Sequence, residues 1–245
     1  MRKLLTLNFI GTNYHGWQVQ QNAITVQEVL QDAMTKLFCT RPDVCGCSRT
    51  DAGVHAKEYC CHFDAPINIS NKGIVLGLNR YLPGDISVAS CIDVADDFHA
   101  RYSVKAKTYE YNINTSDIRN AFSSAFVYQY GREVDTALAE AFCREIVGTH
   151  DFAAFCAAGS SVTDTVRTVY DAHIEVNGNI VTFVITANGF LYNMVRILVG
   201  TLLLVSEGKI PVEKISEIIS NKDRALAGPT APSNGLALKE VKYNI

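Results

Sequence analysis

Apolar and polar positions divide the chain into short segments of two different periods. Lys3 to Ile10 alternates well enough for a strand, which Gly11 ends. Thr25 is placed to cap a helix from Val26 to Phe38, with Val26, Val29, Leu30, Ala33 and Leu37 on one face. Val44 to Cys47 reads as a short strand opening into Ser48-Arg49-Thr50-Asp51-Ala52-Gly53, and Tyr59 to Phe63 as the next strand. Ser70 caps a predicted helix over Asn71 to Tyr81, stopped by Pro83-Gly84, and Ile86 to Val94 returns as a strand. Strand, helix, strand, strand, helix, strand is the order of a ferredoxin-like α+β unit.

A similar order follows without a sequence repeat. Thr108 to Asn114 is a tyrosine-rich strand, and Asp135 caps a predicted helix from Thr136 to Val147. Thr168 to Glu175 and Ile180 to Ala187 form a hairpin through Asn177-Gly178-Asn179. Leu191 to Glu207 is a long apolar helix closed by Gly208, Pro211 begins another, and Leu236 to Lys242 is the last strand. The expected fold is therefore α+β: two ferredoxin-like halves, residues 1–105 and 106–245, joined in an extended antiparallel sheet with a cleft across its middle. The boundary falls near Phe98 to Ala106, although no Gly- or Pro-rich linker marks it.

Composition narrows the class. Apolar residues make up 48% and charged residues 19%, which fits a folded chain and argues against disorder. The start resembles a strand rather than a signal peptide. The longest apolar stretch, Val195 to Val205, carries Arg196 and is too short to span a bilayer, so a soluble intracellular protein is expected. Eight cysteines include no C-x-x-C. A zinc site from Cys60, Cys61, His62 and His55 is conceivable, but neighbouring strand residues point to opposite faces, so buried thiols and no metal are expected. The net charge of −3 does not advertise a nucleic-acid binder. Residues 1–105 carry 10 basic and 10 acidic groups, so any contact with RNA must come from local clusters.

The most informative stretch is Arg49-Thr50-Asp51-Ala52-Gly53-Val54-His55-Ala56, an acid on a loop between two strands. Taken alone, an Asp in such a turn commonly bonds its own backbone. Here the string resembles the signature of the TruA family of tRNA pseudouridine synthases, and four further segments resemble that family in order. They are Tyr14-His15-Gly16-Trp17-Gln18 with Gln20; Phe98-His99-Ala100-Arg101 with Lys107-Thr108-Tyr109-Glu110-Tyr111; Asn188 to Arg196; and Gly228-Pro229-Thr230-Ala231-Pro232. Together they cover nearly the whole length.

The resemblance implies an isomerase that turns uridine into pseudouridine without cofactor or metal, with Asp51 as the catalytic carboxylate. The target base must leave its stack to be reached. A carboxylate shielded from water needs a nearby cation to stay ionised, and Arg196 is the residue expected to supply it. Tyr109 is expected against the flipped base, with Tyr111, two residues on, structural. Arg49 is expected to fill the gap left by that base or to hold the neighbouring phosphate. The implied substrate is the tRNA anticodon stem-loop at positions 38, 39 and 40, gripped by a cytoplasmic homodimer. The alternatives are a paralogue with another tRNA site, a non-catalytic RNA-binding module, and an aspartate-dependent hydrolase. The chain departs from the family in Ser48, usually Gly; Tyr59, commonly Gln; and Ser233, where a second Pro is common. None of these removes a catalytic group.

Overall fold

The computed structural model describes residues 1–160 and 162–244. They form two compact units: residues 1–105 with 237–245, and residues 106–236. The architecture is α+β in both. No helix among the described residues is long and apolar enough to cross a membrane.

The first unit runs β1 (Arg2–Phe9), α1 (Val26–Phe38), β2 (Cys45–Gly46), β3 (His55–Asp64), α2 (Asn71–Tyr81) and β4 (Ile86–Asp93). β1 lies between β4 and β3 and is antiparallel to both. Thr25 and Ser70 cap the two helices by accepting bonds from Glu28 N and Gly73 N. Each helix turns an apolar stripe to the core, where Leu5, Leu7, Leu30, Phe63, Ile74 and Leu78 are almost wholly buried. Phe38 of α1 meets Phe63 of β3 at 5.7 Å between ring centroids, which marks the helix-covered face of the sheet. By alternation, Cys60, His62 and, on β1, Arg2 project from the other face.

β3 is longer than the pattern suggested, starting at His55 instead of Tyr59. The polar run His55 to Glu58 hides a stretch in which His55 and Ala56 are both buried. Here lies the main correction to the expected division of the chain. The last strand, β10 (Leu236–Lys242), was assigned with residues 106–245, yet it pairs in parallel with β3 through Ala237–His55 and Leu238–Ala56. Lys105 N bonds Lys242 O, and the Tyr243 hydroxyl donates to Ala100 O at 2.7 Å, so residues 237–245 belong to the first unit.

The second unit contains β5 (Ala106–Asn114), β6 (Tyr128–Gln129), α3 (Thr136–Ile146), β7 (Gly148–Asp151), β8 (Val166–Asn177), β9 (Ile180–Ala187), α4 (Met194–Ser206) and α5 (Ile215–Asn221). Its antiparallel order is β5-β9-β8-β7, with β6 parallel to β5. Tyr111, Phe142, Phe152, Phe155, Phe183 and Leu198 are buried in its core. α4 begins three residues later than its apolar pattern does, because Asn193 adopts a left-handed conformation (φ 59°) just before it.

Candidate active site

Asp51 sits half-buried on the loop between β2 and β3, with Arg49 and Ala52 exposed beside it. The loop closes on itself where Val54 N donates to Asp51 O at 3.2 Å, and Gly53 supplies the positive φ (78°) that this turn requires. The segment after β1 lies directly against it. Trp17 N donates to Thr50 O at 3.3 Å, Gly53 N to Tyr14 O at 3.1 Å, and Gly11 N to His55 Nδ1 at 3.0 Å. A Cβ at Gly16 would stand 2.2 Å from Thr50 O, and one at Gly11 would stand 2.0 Å from Val54 O. Two main chains meet here at a distance only glycine permits.

The base of the loop is wedged by aromatic rings. Trp17 stacks on the buried Tyr59 at 4.2 Å and 29°, and the Tyr59 hydroxyl donates to Ser48 O. Gly46 leaves room for both rings, since a Cβ there would lie 2.1 Å from the Tyr59 hydroxyl. Tyr59 and Ser48, the two departures nearest the loop, are thus bonded to each other. Tyr14 donates its hydroxyl to Asp85 at 2.6 Å. Burial, and then that bond, push its pKa above the ordinary range, so it remains a donor.

The second unit holds the other two expected residues. Tyr109, on β5, is 6% exposed and meets the edge of Phe190 at 5.0 Å and 84°. Tyr111 is fully buried and donates its hydroxyl to Pro232 O at 2.7 Å, which anchors the 228–232 segment. Arg196 is half-buried in the first turn of α4. Its Nε donates to Ala231 O and its Nη1 to Asn193 Oδ1, both at 2.7 Å. Ala231 N returns a bond to Arg196 O. A Cβ at Gly200 would stand 1.8 Å from Pro229 O, so the 228–232 segment rests directly on α4. Asn193 and Tyr59 were not singled out from the sequence as supports. The only signal was their place inside or beside the recognised motifs.

The zinc combination weighed from the sequence does not assemble, because alternation along β3 turns Cys60 and His62 away from His55 and Cys61. Burial drives the Cys60 thiol up to about 12, far from a ready ligand. A different trio gathers on the helix-free face: Cys45, His62 and His99 have ligand atoms within 4.8 Å of one another. His62 Nδ1 accepts from Ala100 N, and His99 Nδ1 accepts from Arg101 N and Tyr102 N. Each neutral ring therefore carries its proton on Nε2, the nitrogen a metal would need. Ligating histidines normally donate from their second nitrogen, so this trio has the wrong outer partners for a metal.

Residues 6–103 and 142–244 match the tRNA pseudouridine synthase family. The chain belongs to that family. It is 45% identical over 98% of both chains to tRNA pseudouridine synthase A of Clostridium acetobutylicum. It is 43% identical to the enzyme of that name from Ruminiclostridium cellulolyticum, over 99% of this chain and all of the other. It is 42% identical to tRNA pseudouridine synthase A 2 of Clostridium perfringens, over 98% of both. Among solved structures, a chain of an archaeal box H/ACA sRNP Nop10–Cbf5 complex matches at 12% identity and TM-score 0.35. That match spans 83% of this chain and 43% of that one. As a family member, the chain carries in these two units both the aspartate loop and the Arg196 motif by which the family was recognised.

Proposed function

We propose that this chain isomerises uridine to pseudouridine in tRNA, at positions 38, 39 and 40 of the anticodon stem-loop, as a cytoplasmic homodimer needing no cofactor. The observation that carries the proposal is the Asp51 loop, an acid held by its own turn and backed by main chain at two glycines. In the reaction the C1′–N1 bond breaks and a C1′–C5 bond forms, while C5 loses a proton and N1 gains one. Nothing is oxidised or reduced, and no group leaves. Asp51 starts the chemistry, either by attack or by taking a sugar proton. Arg196, its guanidinium direction set by Ala231 and Asn193, keeps the carboxylate ionised. The Tyr109 ring lies against the flipped uracil, and Arg49, exposed on the loop, holds the backbone or the vacated stack. In a dimer, basic groups of two chains share one RNA, which answers the negative net charge.

Because C5 gives up its hydrogen, release of tritium from tRNA labelled at uridine C5 follows turnover. Asp51→Asn should abolish that release while leaving thermal stability and tRNA binding near the parent's, since the amide is almost isosteric but cannot attack or take a proton. Substantial release by the purified variant would refute the assignment. Mapping pseudouridines in tRNA from cells with and without the gene distinguishes positions 38 to 40 from another site. Appearance of free uracil would instead indicate a hydrolase.

A further inference from the structure

The reaction as proposed leaves the turn after Asp97 without a role, yet its backbone is pinned on several sides. Arg2 Nη1 donates to Phe98 O at 3.0 Å and also to Asp96 O. Ala100 N donates to His62 Nδ1 at 3.0 Å, and Ala100 O accepts from the Tyr243 hydroxyl. The Phe98 ring packs between His62 and Tyr243. His99 closes the turn by accepting from Arg101 N and Tyr102 N, and its Nε2 faces Cys45 Sγ at 3.6 Å. On this support Tyr102 is 78% exposed, its ring 4.3 Å from that of His99 at 30°. The exposed Arg101 has its guanidinium carbon 6.0 Å from the centre of the same ring.

A tyrosine this exposed adds little to the core, and its support costs several oriented polar groups. The hydrogen-bond pattern of His62 and His99 argues against a metal, so those rings act as a pedestal. A flat ring backed by an imidazole, with a guanidinium alongside, is the arrangement on which an unpaired nucleotide stacks. We infer that Tyr102, backed by His99 and flanked by Arg101, is a stacking platform for an unpaired nucleotide of the RNA substrate. The inference rests on the RNA activity proposed above. Asp96 and Asp97 lie nearby and act on Arg2, so the platform works by stacking and one phosphate contact, without a strong basic field. His62 lies seven residues along β3 from His55, about 23 Å at strand spacing. The platform therefore meets a nucleotide remote from the one beside Asp51 and contributes to affinity rather than chemistry.

The test measures binding of an unmodified tRNA transcript across salt, alongside single-turnover rates. Tyr102→Ala should weaken binding about tenfold, with the loss in kcat/KM rather than in the rate at saturation, and Tyr102→Trp should bind like the parent. Arg101→Ala should lower the slope of log affinity against log salt by about one. Parent-like binding by Tyr102→Ala overturns the inference, as does equal binding by Tyr102→Leu and Tyr102→Trp. If zinc raises the Tm of the parent but not of His99→Ala, the cluster is a metal site and the pedestal reading fails. Should the parent form no pseudouridine yet bind tRNA in a Tyr102-dependent way, the platform stands and the catalytic proposal falls.

Discussion

In the first unit Asp51 is held through the main chain, by bonds from Trp17 N and Val54 N to the carbonyls of Thr50 and Asp51. In the second, Arg196 is held through its own side chain, by Ala231 O and Asn193 Oδ1. Both arrangements seat a loop on a glycine, Gly16 under Thr50 and Gly200 under Pro229. The difference follows from side-chain length. An aspartate has two rotatable bonds, so fixing its backbone leaves its carboxylate only a few staggered positions. An arginine keeps much of its rotamer freedom after its backbone is set, and its guanidinium must be tethered directly.

The sharpest way to break this comparison is at Gly16. An alanine there must adopt φ 86° with its Cβ 2.2 Å from Thr50 O. Gly16→Ala should cost roughly 2–3 kcal/mol of stability and, by moving the loop on the order of 1 Å, about a hundredfold in single-turnover rate. A parent-like rate would mean the main chain does not position Asp51. Next comes Arg196→Lys, which keeps the charge and loses the fork that reaches both tethers. A loss of roughly tenfold or more in rate, with tRNA affinity little changed, is expected. Asn193→Gly, which tolerates the left-handed backbone, should show part of the same defect. A parent-like Arg196→Lys would show that charge alone suffices.

A smaller effect is expected at Tyr59. Tyr59→Phe keeps the stack on Trp17 and removes the bond to Ser48 O, so it should cost about 1 kcal/mol by thermal melting. An unchanged Tm would mean the hydroxyl contributes nothing to the loop. The smallest test concerns the far end of α4. Lys209, first, and then Tyr130 and Arg132 lower the Glu207 carboxyl from 4.5 to about 2. A depressed carboxyl stabilises the fold above its unfolded pKa and loses that contribution as pH falls. The Tm gap between the parent and Glu207→Gln should therefore be full above about pH 4.5 and shrink towards pH 2. A gap independent of pH would point to packing instead of charge.

Local signals in the sequence served the helices best. Thr25, Ser70 and Asp135 cap where the pattern places them. Signals failed where polarity hid pairing, as in His55 to Glu58, or where one residue took an unusual conformation, as at Asn193. Contacts distant along the chain left no trace at all. Nothing in Leu236 to Lys242 says it will lie beside His55, and nothing in Cys45 or His99 says they will meet. The aspartate loop was recognisable as a motif. Its physical support, two glycines against a neighbouring main chain, became visible only in three dimensions.

The parallel pairing of β10 with β3 also imposes an order on biosynthesis. A chain made from its N-terminus exposes the Asp51 loop and β3 early, while the strand that covers His55 and Ala56 follows only after the whole second unit. Until then the edge beside the loop has unpaired main-chain groups, open to other strands. The nascent chain must keep the aspartate loop unfinished while residues 106–236 are made, and a chain ending before residue 236 would carry that loop without the strand beside it.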